Sequence, residues 1–195
     1  MRKISKAILF GAGMGIVCLV LCSTTASAQE ETRLAKKIFI QGNAMGQSTQ
    51  LGRQFSFNVT INELSTAADQ KALLDAFKAK GNEGLVNAIS KMKGKGRIAI
   101  TGTLGYDVNY IRVFRQPDGT TKIRLVTDRP ITFGEAWSDT RSSDYSLSGM
   151  EIVVTPDKKA SGILLPACKF KMDKNNQIEI EAYQNPWKLV NVRRR

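Results

Sequence analysis

The chain has 195 residues, with 29 Lys and Arg against 17 Asp and Glu, a formal net charge of +12, three cysteines and no histidine. The missing histidine excludes Ser-His-Asp and Cys-His nucleophilic machinery, histidine-containing zinc sites and the usual proton shuttle at neutral pH. No Walker loop, dinucleotide fingerprint or EF-hand spacing occurs, so the sequence predicts no cofactor and no metal site.

At the N-terminus, Arg2, Lys3 and Lys6 precede an apolar run from Ala7 to Cys22, and Ala26-Ser27-Ala28 supplies small residues before Gln29. This is the pattern of a secretory signal over residues 1–28, cleaved after Ala28. The apolar run falls short of the roughly 20 residues that span a bilayer, which argues against a retained anchor. Leu21, where a lipoprotein wants a small residue, argues against lipidation at Cys22. The expected product is a periplasmic or extracellular domain, residues 29–195, with no transmembrane span. Export removes three basic residues and two cysteines, leaving a charge of +9 and Cys168 alone. The apolar stretch Gly162–Cys168 predicts a buried, inert thiol there, and no disulfide can form within the chain.

From Arg53 to Ile61, Phe55, Phe57, Val59 and Ile61 alternate with polar residues, the period of a half-buried strand. The period then changes. Thr66 and Asp69 form a capping box, Leu73, Leu74 and Phe77 an apolar stripe, and Gly81 a stop, predicting a helix over 66–80. A second helix opens at Asn82 and Glu83, carries Leu85, Val86, Ile89 and Met92 inward and ends at Gly94. Strands follow over 97–104 and 106–115, the second with apolar residues on both faces. Pro117-Asp118-Gly119 folds 106–115 onto 121–127, because proline presets the second turn position and glycine accepts a positive φ. Further strands are predicted over 149–155, 160–172, 177–183 and 187–193, separated by turns at 156–159, 173–176 and 185–186.

The fold class is therefore α+β, mainly β: an antiparallel meander of about eight strands, sandwich or barrel, with a helical hairpin inserted at 66–94. An outer-membrane barrel is disfavoured by that helical insertion and by an aromatic content of only 7%, too little for two girdles. The blocks Leu104-Gly105-Tyr106-Asp107, Val126-Thr127-Asp128-Arg129-Pro130-Ile131, Arg141-Ser142-Ser143-Asp144-Tyr145 and Ile178–Tyr183 resemble those of an uncharacterised family of exported bacterial proteins. The resemblance implies one domain over most of the mature chain and carries no activity, ligand or site residue with it.

The segment 127–145 has little strand pattern and concentrates charge, and long irregular connections are disproportionately functional. Its candidate ligand-binding residues are Arg129, Glu135, Trp137, Asp139, Arg141 and Asp144. Trp137 would stack on a sugar or apolar ligand, and Arg129 and Arg141 would grip an anion. The basic residues gather only at 91–97 and 193–195, neither interleaved with aromatics, so no specific nucleic-acid binding is expected. A lysine-rich helix end and a frayed C-terminal tail account for them. The function that follows is a secreted or periplasmic binding or interaction protein without catalysis, taking a small apolar or sugar ligand or an anionic surface. The alternatives are a carboxylate-dependent hydrolase of glycans or other polymers, with Glu135 paired to Asp139 or Asp144, and an electrostatic binder of an anionic polymer.

Overall fold

A computed structural model describes residues 37–131, 145–184 and 186–195. Its elements in chain order are β1 (Ile38–Gly46), β2 (Gln54–Ile61), α1 (Ala67–Lys91), β3 (Gly96–Ile100), β4 (Tyr106–Arg115), β5 (Thr121–Thr127), β6 (Leu147–Val154), β7 (Ala160–Met172), β8 (Ile178–Gln184) and β9 (Trp187–Arg194). Strands β1 to β7 pair antiparallel with their sequence neighbours, as a meander does. β8 then folds back on β7 as a spur, and β9 inserts between β7 and β1. The result is a closed antiparallel barrel of eight strands with β8 outside it, which decides between the two architectures that the strand pattern left open.

Closure turns on one residue of β7. Gly162 to Leu164 pair with β9, whereas Ala167 to Met172 pair with β8, and Pro166 stands between the two partners. The β6–β7 register slips at the same place, between Leu147↔Cys168 and Gly149↔Leu165. Proline has no N–H to give a ladder, so a bulge where the strand changes partner is the place that tolerates it.

The first strand is absent from the predicted set because its apolar signal fades after Ile40. Its inward positions continue as Gly42 and Ala44, since a Cβ on Gly42 would lie 2.9 Å from the Phe57 ring of β2. Small residues there make room for an aromatic neighbour. The predicted β4–β5 hairpin forms as expected, with Arg115 opposite Thr121 and Gly119 at φ 80.

Thr66 caps α1 through the predicted box: its hydroxyl accepts from the Asp69 N–H, and its own N–H donates to the Asp69 carboxylate at 2.7 Å. The helix breaks at Lys80 and Gly81, where Gly81 takes φ 58, a conformation that a Cβ disfavours. The chain turns back there, so closely that a Cβ on Gly84 would sit 2.1 Å from the Ala76 carbonyl oxygen. The predicted stop at Gly81 is thus a corner between two helical segments that form one element.

Two apolar cores share the strands. Inside the barrel lie Phe57, Ile61, Ile98, Ile111, Leu125, Met150, Leu164 and Leu189, all nearly or wholly buried. Outside it, Leu73, Leu85 and Ile89 of α1 cover Tyr110, Val126, Leu147, Leu165 and Phe170. Each of those helix side chains is fully buried and contributes about 1.5–3 kcal/mol of transfer free energy. This is why β4 is apolar on both faces: Ile111 points into the barrel and Tyr110 under the helix. Elsewhere the outer face is largely polar, as at Asn43, Ser56 and Asn58, with Phe39 and Met45 exposed among them, while the inner face is apolar, the inverse of a membrane-spanning barrel. No helix among the described residues is long and apolar enough to cross a membrane.

Candidate functional site

The strand order brings the start of β1, the start of β5, the end of β6, the start of β7 and the end of β9 to one end of the barrel. There the interior opens into a well of about 650 Å³, within the range of about 300–1,000 Å³ typical of small-molecule sites. Ile38, Ile40, Ile123, Ile152, Val154 and Val192 form its apolar wall. Three of these, Ile40, Ile123 and Val192, keep 6–9% exposure, whereas Phe57, Leu125 and Met150 deeper in the barrel keep 1% or less. The barrel is therefore filled below the well, and the well is an open apolar mouth.

The rim is cationic. Lys158, Arg193 and Arg194 border the well together with Thr121, and among the described residues none of the three cations forms an ion pair. Lys158 holds its place at φ 64, a left-handed conformation in which Asn or Gly would be unstrained. Arg193 and Arg194 are not a frayed tail. They end β9, paired with Gln41 and Ile40 of β1, and the Arg195 N–H donates to the Phe39 carbonyl at 2.8 Å. The basic cluster is held at the barrel rim by ladder hydrogen bonds.

The opposite end is packed shut among the described residues. Trp187 packs against Phe55 with ring centroids 4.7 Å apart and planes inclined at 55°, and Ile131 is fully buried in the barrel core. The buried Ser148 Oγ accepts the Ile131 N–H at 2.6 Å and lies within donating reach of the carbonyls of Pro166 (2.6 Å) and Arg129 (3.1 Å). The Thr127 hydroxyl donates to the Arg129 carbonyl at 2.6 Å and accepts the Ser148 N–H at 3.2 Å.

Of the candidate residues read from the sequence, Arg129 belongs to this closed end. It is mostly exposed, with its guanidinium 3.9 Å from Asp128 and 5.8 Å from the centre of the Tyr106 ring. Glu135, Trp137, Asp139, Arg141 and Asp144 lie outside the described residues, and so do the signal segment 1–28 and the carboxylates of the hydrolase alternative.

Other charged groups hold the fold together. Lys95, nearly buried, bridges Glu63 at 3.2 Å and Asp69 at 3.1 Å, tying the start of α1 to the approach to β3. Burial alone would raise the Asp69 pKa, but hydrogen bonds from Thr66 and Lys95 outweigh it and hold the carboxyl below its ordinary value. Arg124 pairs with Glu151 at 3.2 Å, donates to the Ile178 carbonyl and stacks on Phe114, which fastens β8 to the barrel wall. Cys168 is buried as predicted, its Sγ 3.5 Å from the Leu147 carbonyl, and burial raises its pKa well above the ordinary thiol value. A thiol so placed stays protonated and unreactive.

No protein family profile, curated protein or solved structure matches this chain. The site therefore rests on its own geometry, and the class that geometry defines is a small closed barrel with one packed end and one open, cation-rimmed apolar mouth. Sequence reasoning named two pieces of that mouth, the turn at 156–159 and the arginines at 193–195, without bringing them together. Val192 lies 34 positions after Lys158, and only the pairing of β9 with β1 and β7 makes them neighbours.

Proposed function

We propose that the protein is an exported, non-catalytic binding protein whose ligand is an amphiphile with an anionic head. The observation that carries this reading is the mouth itself: an apolar wall closed below by the packed barrel core and bordered on its β7–β9 side by Lys158, Arg193 and Arg194. An apolar tail end displaces water from Ile40, Ile123 and Val192, which favours binding by about 25 cal/mol for each Å² buried. The head stays at the rim, where charge-assisted hydrogen bonds to lysine and arginine are stronger than neutral ones and fix which end of the ligand enters. The basic surplus of the chain adds a general attraction for anions.

Isothermal titration calorimetry with dodecanoate tests the reading. The protein is expected to bind it saturably, and the double variant K158E/R194E to bind it at least tenfold more weakly. Absence of saturable binding, or an unchanged affinity in the charge-reversed variant, overturns the assignment.

A further inference from the structure

Arg193 stands between the mouth and a second hollow, of about 410 Å³, on the outer wall where β1, β2 and β9 run side by side. Gln41, Asn43, Ser56, Asn58, Thr101 and Asn191 line it with amides and hydroxyls beside Phe57, and among the described residues no carboxylate borders it. A bulge shapes it: the β1–β9 register slips between Gln41 and Asn43, and Asn191 takes φ 53. Bulges bend a strand and re-aim its side chains, and asparagine is among the residues that take the left-handed conformation readily. Ser56 Oγ donates to Asn43 Oδ1 at 3.0 Å, and the Asn58 amide reaches the Thr101 hydroxyl at 3.5 Å.

Amides and hydroxyls in series match the hydroxyls of a sugar, each of which donates and accepts at once. A polyanion would require cations along the strip, whereas among the described residues the strip has only Arg193, at the end nearest the mouth. We propose that the mouth and the groove are two halves of one site for an anionic glycolipid, its tail in the mouth, its anionic junction at Arg193 and its sugar along β1, β2 and β9. This rests on the reading of the mouth as an amphiphile site.

Two probes with the same tail and the same single charge separate the halves: methyl dodecyl phosphate and glucosyl dodecyl phosphate, titrated into the exported protein. The glucosyl probe is expected to bind about tenfold tighter, as two or three net hydrogen bonds imply. In N43A/N58A that advantage disappears while methyl dodecyl phosphate binds as before. T101V, nearly the same shape with one hydroxyl fewer, is expected to lose part of the advantage and serves if the double variant does not fold. Equal affinities for the two probes overturn the glycolipid assignment and leave the mouth reading standing. No binding of methyl dodecyl phosphate overturns both.

Discussion

At one end of the barrel Trp187 packs against Phe55, and Ile131 is buried with its backbone pinned by Ser148; at the other, Ile40, Ile123 and Val192 face a well bordered by cations that form no ion pair among the described residues. Both ends are built by the same strands. What differs is the chemistry of the side chains that reach the rim: aromatics and a buried hydroxyl network on one side, isoleucines, valines and basic residues on the other. The barrel strands pair on both sides, so the ends of the barrel are where its apolar interior can meet solvent. Here one end is given to stability and the other is left open.

The largest expected effect sharpens that contrast with a single change made at both ends. Ile131→Ala, in the packed end, is expected to destabilise the fold by about 4–5 kcal/mol, and Ile123→Ala, in the partly solvated wall of the mouth, by about 2 kcal/mol, the spread that enclosure produces at fixed chemistry. Denaturant midpoints at constant m-value measure both, and equal losses would break the comparison. Next in size is Ser148→Ala, which removes the hydroxyl from the Ile131 N–H and two carbonyls. A loss of about 1–2 kcal/mol is expected, together with faster amide exchange at Ile131, while dodecanoate affinity at the mouth stays unchanged.

The smallest effect concerns the layer under α1. Tyr110 is fully buried, its hydroxyl has no hydrogen-bond partner among the described residues, and burial pushes its pKa up to about 12, against opposition from Arg112 and Arg124. The folded protein keeps this proton where the unfolded chain releases it. Its contribution is therefore complete below the unfolded value of 10.0 and is lost as pH rises towards about 12. Tyr110→Phe is expected to stabilise the protein at neutral pH by about 1 kcal/mol, by removing an unsatisfied buried hydroxyl, and to flatten the alkaline limb of the stability profile. Thermal melts of both proteins from neutral to strongly alkaline pH check the sign, and a destabilised variant at neutral pH would show that the hydroxyl has a partner.

Much of the fold was legible because its signals are local. The capping box of Thr66 and Asp69, the corner at Gly81, the hairpin at Pro117-Asp118-Gly119 and the alternation from Phe55 to Ile61 each rest on residues within a turn or a strand of one another, and each is present. β1 was not legible, because the residues that fit it against Phe57 are Gly42 and Ala44, which carry no apolar pattern. The mouth was not legible either. The sequence drew attention to 127–145, from which Arg129 lies at the packed end, while the wall and rim of the mouth are supplied by pieces of five strands and a turn.

By itself the sequence determined the class, an antiparallel and mainly β chain with a helical insertion, along with its basic surplus and its lack of histidine chemistry. Period, turn residues and charge are properties of neighbours along the chain. Tertiary structure alone decided that the sheet closes, that β7 changes partner at Pro166, and that Arg193 and Arg194 stand beside Lys158 over an apolar well. Those are relations between residues far apart in sequence, set by strand order and register, and no local pattern encodes which strand ends will meet.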